Sequence, residues 1–442
     1  MFPKKGKVAI GVMLVLLALL LAACNKGDKP SAEQEEEPTE PVELVFFSVG
    51  NIHWWDEQLF MEYYGEPIRK KFPYIIPKTL TMQTTDTKVM NELMAVGQPI
   101  DIMLAANASY LSFIKPFDLH TNIEDLVKKH EVDLSKFVPE YIEMNRKLNN
   151  GVLTGLPLRE MPTQLLYNKG IFDKFGVPYP PHDKWTWDEM FELAKKLNRV
   201  DGGTQYYGVR MTTSFFRRSP YSIDFVDQRT NKAIFNNESA QKMLNLYLRT
   251  FEGSDPNGLK ADPAKLFFET RVLAMFIPVV ALYATPERYV GLDWDIAPVP
   301  YLPEKGNVGM QPYPDYLYVS KISKHPDLAM KVIDYLTSET FQLQNAENGQ
   351  GVPALKDRNI LKAFGQKSGM FVGKNVNAMV PEKYAPPAVY DDFNNRAAST
   401  ILPKYANQVR DGQVDVNTAL RLAEEETNRY IAEQLQTGAA IK

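Results

Sequence analysis

Runs of apolar residues along the chain predict the first elements of an α/β fold. Val42–Val49 is rich in β-branched and aromatic side chains and is apolar on both sides, which is typical of a strand covered on both faces of its sheet. A helix is predicted over residues 88–96, and a second buried strand follows at residues 98–105. The order strand, helix, strand indicates an α/β architecture with parallel pairing.

Three later segments carry the signals of amphipathic helices. Thr186 and Glu189 have the spacing of a capping box, and an apolar stripe follows them to Leu197. Pro326 opens a second helix with apolar residues at helical spacing. A third helix is predicted over residues 416–435, with a run of glutamates outside its apolar stripe.

The N-terminus carries an export signal. Lysines precede an uncharged, mostly apolar run over residues 8–23, which is shorter than the roughly 20 residues of a membrane-spanning helix and long enough for a signal peptide. The run ends in Leu21-Ala22-Ala23-Cys24, which resembles a bacterial lipobox. The resemblance implies that residues 1–23 are a signal peptide and that Cys24 is lipidated. The alternative is a simple membrane anchor followed by a free cysteine.

A polar segment separates Cys24 from the predicted fold. Residues 25–41 carry six acids, two bases and three prolines and almost no apolar side chain, so they cannot bury enough surface to offset their ordering entropy. We predict a flexible acidic tether over residues 24–41, and a protein held by lipid on the outer face of the cell membrane.

Composition excludes several classes of function. The net charge of -4 argues against a nucleic-acid partner. One cysteine forbids a disulfide within the chain, and five histidines without an HExxH spacing disfavour a metallohydrolase. A GxGxxG loop, a Walker lysine and a GxSxG elbow are all missing from the sequence. We therefore predict no cofactor and no metal.

One stretch of motifs is more specific than the rest of the chain. Residues 155–158 (GLPL), 165–178 (LLYNKGIFDKFGVP) and 185–189 (WTWDE) resemble the extracellular solute-binding proteins of bacterial carbohydrate ABC importers, a maltose-binding-protein-like family. Further landmarks follow the family's order, at residues 97–102, 207–209, 273–275, 297–300, 336–342 and 351–354.

The resemblance implies a fold of two α/β lobes, joined by three chain crossings, with a ligand cleft between them. We place the crossings near residues 157, 299–303 and 352–353. One lobe is then formed by residues 42–157 and 304–352, and the other by residues 158–303 and 353–442. Three short segments can absorb the backbone rotation of a hinge while the lobes stay rigid. A monomer that passes its ligand to an ABC permease is expected.

Aromatic and polar residues after the first strands are candidates for sugar binding, because sugars present flat C–H faces and a rim of hydroxyl groups. Trp54 and Trp55 follow the first strand directly, and at least one is expected to form a stacking platform; the alternative is packing under the lobe. Asn107 and Ser109 follow the second predicted strand, where they serve either the ligand or helix capping.

Further candidates lie beside the crossings. The resemblance places Arg159 and Glu160 just past the first crossing, facing the cleft, with a surface ion pair as the alternative. Tyr313, Asp315 and Tyr316 follow the return to the first lobe and are candidates on the same grounds.

Two features bear on the chemistry of the ligand. Phe276 stands near the position where relatives often carry a tryptophan, and is at most a weak substitute for that platform. The calcium loop that some relatives bear before a Tyr-Gly-Val motif lacks its alternating acids here, at residues 198–203. The arginines Arg159, Arg210, Arg217 and Arg218 raise the possibility of an acidic glycan, although Arg217 and Arg218 are equally compatible with a solvated surface.

The sequence thus favours a receptor that captures a carbohydrate, expected to be an oligosaccharide, and does no chemistry. Two alternatives stay open. The same fold could bind a peptide, a polyamine or another metabolite, or the chain could be a secreted glycosidase, which would need two carboxylates at a fixed separation.

Overall fold

The computed structural model describes residues 38–49, 56–82, 87–278 and 285–436. Cys24, Trp54 and Trp55 lie outside these ranges, so the predictions made for them are not addressed by the structure. Contacts divide the chain into a unit from Met1 to Val42 and a unit from Glu43 to Lys442. The second unit carries the core and is described here.

The strands of the described chain form two mixed sheets and one short hairpin. In chain order they are β1 (Val42–Val49), β2 (Ile75–Met82), β3 (Ile102–Ala106), β4 (Gly155–Glu160), β5 (Leu165–Asn168), β6 (Arg199–Asp201), β7 (Thr204–Met211), β8 (Val226–Asp227), β9 (Lys232–Ala233), β10 (Leu273–Ile277), β11 (Trp294–Ala297), β12 (Pro314–Val319) and β13 (Val352–Pro353). The six-stranded sheet has the order β13-β4-β12-β3-β1-β2, and the five-stranded sheet has the order β11-β5-β10-β7-β6.

Helices connect the strands and cover the sheets. The α-helices are Glu57–Phe60, Glu66–Lys71, Lys88–Ala95, Asn107–Ser109, Glu124–Lys129, Pro139–Leu148, Lys169–Phe175, Trp187–Leu197, Phe215–Arg218, Glu238–Arg249, Pro256–Lys260, Pro326–Leu336, Glu339–Glu347, Arg358–Lys362, Asp392–Arg396, Leu402–Arg410 and Val416–Gln436. Within the described ranges, no helix combines the length and the apolar character needed to cross a bilayer.

The α/β architecture predicted from the sequence is confirmed, with sheets that are mixed rather than purely parallel. β1 pairs with β3 in parallel, as expected from the strand, helix, strand order. β12 pairs antiparallel with both β3 and β4, and β5 pairs antiparallel with β10 and β11. The chain passes directly from β4 in one sheet to β5 in the other, and from β11 back to β12, without an α-helix in between. Parallel pairing needs a crossover connection, usually a helix, so β5 and β12 pair antiparallel with their neighbours.

Each sheet has its own apolar core, which makes the fold two-lobed. The core on the six-stranded sheet includes Phe47, Met103 and Tyr316. The core on the five-stranded sheet includes Leu165 and Met275, together with residues of the long helices that cover it.

The chain passes between the two sheets at three places. β4 continues to Glu160 in the six-stranded sheet, three residues beyond the predicted first crossing, and the five-stranded sheet is entered at Leu165. The chain returns to the six-stranded sheet between β11 and β12. It leaves that sheet for the last time after β13, which pairs with β4, and continues into the C-terminal helices. The residue limits of the two lobes stay a prediction.

The helix Trp187–Leu197 begins at a capping box and packs against β7 of the five-stranded sheet. The predicted capping box is present: Thr186 accepts from the Glu189 N–H, and the Glu189 carboxylate accepts from the Thr186 N–H at 2.7 Å. This helix packs so closely on β7 that a Cβ added at Gly208 would lie 2.2 Å from the carbonyl oxygen of Ala194. Glycine is therefore required at this position by the approach of two backbones.

Candidate ligand-binding site

The last residues of β4 form a buried ion pair with the neighbouring strand. The antiparallel register sets Arg159 opposite Asp315, and the Arg159 Nε donates to the Asp315 Oδ2 at 2.8 Å. Both side chains are fully buried, and Arg159 Nη1 also donates to the Tyr64 hydroxyl at 3.2 Å. The surface ion pair considered as the alternative is wrong, because this pair is buried within the sheet, and the contact of Arg159 with a ligand stays a prediction.

Glu160 is a buried carboxylate at the point where the chain leaves the six-stranded sheet. It accepts from the backbone N–H of Tyr313, at 3.0 and 3.2 Å from its two oxygens. Burial raises the pKa of Glu160 to about 7, and the nearby Arg218 charge, the Tyr313 N–H and the Tyr141 hydroxyl oppose that rise. Glu160 is therefore partly protonated at neutral pH.

Tyr313 lies at the centre of a cluster built from segments that flank both sheets, which we call the Tyr313 cluster: Tyr313, Arg217, Arg218 and Tyr390. The Arg218 guanidinium lies 3.9 Å from the centre of the Tyr313 ring, and that of Arg217 lies 5.1 Å from it. The Tyr390 ring is tilted against Tyr313 with centres 6.2 Å apart. The segment before β12 and the helix after β7 thus meet at one aromatic ring.

The two arginines of the Tyr313 cluster are held by neutral groups. Arg218 is buried and donates to the Met161 carbonyl at 2.7 Å, and burial lowers its pKa to about 10. Arg217 is partly exposed and donates to the Tyr390 hydroxyl at 3.2 Å and to Asn395 Oδ1 at 3.4 Å. The solvated alternative considered from the sequence is therefore wrong for Arg218.

The remaining polar candidates lie near the end of β3. Asn107 begins the helix after β3, is fully buried, and donates through Nδ2 to the Met144 sulfur at 3.0 Å. Ser109 is partly exposed in the same helix. Tyr316 is buried in the core, where its hydroxyl donates to the Tyr141 carbonyl at 2.7 Å.

Two predicted residues are not brought to the Tyr313 cluster. Phe276 lies in β10 against Phe267, with ring centres 5.7 Å apart, and is almost fully buried. Arg210 lies in β7, where its guanidinium packs between the rings of Tyr207 and Phe251 and donates to the Val209 carbonyl.

Sequence reasoning missed Tyr390 and Asn395, and it named the two arginines without a partner. The signal that was present is the pair of arginines six and seven residues beyond the apolar end of β7, in Phe215-Phe216-Arg217-Arg218. Residues after the carboxyl ends of strands are where ligand sites form in open α/β sheets.

Comparison with known proteins gives the relatives of this fold. A family model described as bacterial extracellular solute-binding protein matches residues 79–343, more than half of the chain. A sugar transporter from Rhizobium etli, solved in an open conformation, is similar with a TM-score of 0.71 and 20% identity over 88% of this chain and 99% of that one. The sugar-binding protein MalE from Xanthomonas citri has a TM-score of 0.70 and 17% identity, over 90% of this chain and 99% of its own.

A third solved structure is the ABC substrate-binding protein from Listeria monocytogenes in complex with cycloalternan. Its TM-score is 0.65 at 18% identity, and the match covers 89% of this chain and all of that one (100%). At these identities the structural likeness shows a common fold, and the family model connects that fold to the sequence. The chain belongs to the bacterial extracellular solute-binding protein family.

Proposed function

We propose that this protein binds a carbohydrate between its two lobes and delivers it to an ABC permease. The family is one of extracellular solute-binding proteins, and the structurally similar proteins are described as a sugar transporter, a sugar-binding protein and a complex with cycloalternan. The proposal assigns the chain the role of receptor and no catalytic step.

The Tyr313 cluster is the observation that carries this proposal. Its members come from both lobes, so a ligand held there would contact both and favour one arrangement of the hinge. Aromatic rings and guanidinium groups are the surfaces that sugar sites use for C–H faces and hydroxyl groups. Trp54 and Trp55 follow β1 in the sequence, and at least one of them is predicted to form a stacking platform, which would add apolar surface to such a site.

A separate cavity of about 430 Å³ lies beside the crossings, and we do not assign the sugar to it. Met310, Met379 and Pro298 give it a largely apolar wall. Its Arg358 donates to the Val380 carbonyl at 2.9 Å and also to the carbonyl of Pro381, so this guanidinium is already used within the protein. Tyr313 and Arg217 do not line this cavity.

The position of the protein in the cell is part of the same proposal. With residues 1–23 removed and Cys24 acylated, the lobes would stand on the acidic tether at the outer face of the membrane. A receptor held in this way could reach a permease in the same bilayer without leaving the surface.

Thermal-shift screening tests the proposed function. A ligand that binds the folded state raises the melting temperature, by an amount that grows with its concentration over Kd. We expect one or more members of a glycan panel to raise it, while peptides and polyamines at equal concentration do not. A shift produced by a non-sugar metabolite alone would contradict the proposal, and product formed from a bound glycan would support the enzyme alternative.

A further inference from the structure

Charge in the Tyr313 cluster is not balanced by the residues around it. Arg217 donates to a tyrosine hydroxyl and an amide oxygen, both neutral, and its Nη2 donates to no residue in the described part of the chain. The Nε atoms of Arg217 and Arg218 are both buried without a hydrogen-bond acceptor among the described residues. Two guanidinium groups therefore lie against the Tyr313 ring, and each has an N–H donor without an acceptor among the described residues.

The acidic groups nearby do not supply the missing charge. Asp315 is paired with Arg159. Asp391, next to Tyr390, accepts from the Asn394 N–H at 2.7 Å and caps the helix Asp392–Arg396. Glu160 is the acid that acts on Arg218, but both of its oxygens accept from the Tyr313 N–H, and it forms no ion pair with Arg217 or Arg218 in the described part of the chain.

An anion from outside would complete this arrangement. A partly buried cation without a counter-charge costs free energy, and a bound anion removes that cost. The guanidinium fork fits the two oxygens of a carboxylate, and a contact of this kind is stronger than a neutral hydrogen bond. Arg217 is the partly exposed member of the pair, and because its Nε is buried and its Nη1 is bonded to Tyr390 and Asn395, its Nη2 is the donor that a ligand would reach.

We infer that the carbohydrate is acidic and that Arg217, supported by Arg218, binds a carboxylate on a sugar ring of the uronic acid type. This inference rests on the proposed function and narrows its substrate class. Tyr390 and Asn395 hold the Arg217 fork in place, so that the ligand meets a positioned group.

Calorimetric titration with charge-matched sugars tests the inference. The probes are oligosaccharides of galacturonic, glucuronic and mannuronic acid, each paired with its neutral methyl ester, which keeps the ring and removes the charge. We expect at least one acid to bind about tenfold or more tightly than its ester, with the preference shrinking as salt is raised. An ester that binds as tightly as its acid would overturn the inference and leave the proposed function standing.

Two substitutions locate the effect. Arg217→Gln should reduce the preference for acid over ester to within about threefold, and Arg217→Lys should retain part of it, since charge remains and the fork is lost. Arg229→Gln is the matched control, because Arg229 is 89% exposed and lies in the β8–β9 hairpin. A preference unchanged in a folded Arg217→Gln protein would overturn the assignment.

The remaining outcomes are also decisive. If Arg217→Gln does not fold, the comparison of acid with ester in the unaltered protein still decides whether charge is recognised. Tighter binding of sulfated oligosaccharides than of any uronate would overturn the choice of carboxylate. Binding of no sugar, acidic or neutral, would count against the proposed function itself.

Discussion

At the scale of single residues, one ion pair of the described chain lies inside the six-stranded sheet. The Arg159–Asp315 pair is fully buried, and its partners are 156 positions apart in the sequence. A pair of this kind contributes little net stability compared with apolar residues, yet losing one partner leaves an uncompensated buried charge. We therefore interpret it as a device that holds β12 on β4 in register.

Asp315→Asn tests that interpretation. We expect the variant to lose about 3–5 kcal/mol in free energy of unfolding, because the Arg159 guanidinium keeps its charge and loses its counter-ion. Urea denaturation followed by circular dichroism measures the loss. Glu192→Gln, which breaks the exposed Lys195–Glu192 pair, is the control and should leave the free energy of unfolding nearly unchanged. Similar losses in the two variants would contradict the buried role.

The raised pKa of Glu160 predicts that the free energy of unfolding decreases as the pH rises. Its pKa in the folded protein is about 7, above the ordinary value of 4.5, so the folded state keeps a proton that the unfolded state releases. The contribution of Glu160 to stability is then present below pH 4.5 and is lost as the pH rises towards about 7. The slope is at most about 1.4 kcal/mol per pH unit.

Glu160→Gln removes this titration. As the pH is raised from 5 to 8, the free energy of unfolding of the unaltered protein should fall relative to that of Glu160→Gln. Other carboxyl groups with raised pKa values, such as Asp392, cancel in the difference. A difference that stays constant over this range would show that Glu160 is ionised throughout.

At the scale of elements, the sequence predicted those helices and strands whose determinants lie within a few residues of each other. The capping box at Thr186 and the strand Val42–Val49 are found where the sequence placed them, because their determinants lie within a few residues. The predicted helix over residues 88–96 is observed as Lys88–Ala95, and the predicted C-terminal helix as Val416–Gln436. The predicted first crossing is displaced because β4 gains partners from residues 314–318 and 352–353, which no local pattern reveals.

Thr186→Ala tests the contribution of the cap. The substitution removes the hydroxyl that accepts from the Glu189 N–H at 3.2 Å, and we expect a loss of about 1 kcal/mol in free energy of unfolding. Thr186→Ser keeps the hydroxyl and should lose much less. Thermal and chemical denaturation of both variants measure the effect, and equal losses would mean that the methyl group matters more than the cap.

At the scale of the whole molecule, the family and the fold class predicted from the sequence are confirmed, while the residues that bind the ligand stay a prediction. Arg159, Glu160 and Asp315 are close to the crossings as expected, but pairing across β4 and β12 makes them internal. Tyr390 could not be predicted, because its contact with Arg217 joins positions 173 residues apart. Long-range register and lobe packing decide such contacts, and a single sequence does not encode them in any visible spacing.

Membrane anchoring is a prediction that concerns the whole molecule. Cys24→Ala removes the thiol that the predicted lipidation requires, so we expect the protein to be released from the membrane or to remain unprocessed. Fractionation of cells followed by mass spectrometry of the N-terminus measures both outcomes. A processed Cys24→Ala protein that still sediments with membranes would contradict the lipoprotein prediction.

Titration calorimetry of the purified protein with a panel of neutral and acidic oligosaccharides, followed by chromatography of the recovered sugar, tests the proposed receptor role most directly. The two-lobed fold and the Tyr313 cluster predict that at least one glycan binds with one-to-one stoichiometry and micromolar or tighter affinity, and is recovered intact. Binding confined to peptides, polyamines or other non-sugar solutes would contradict it, as would a bound glycan that is recovered cleaved.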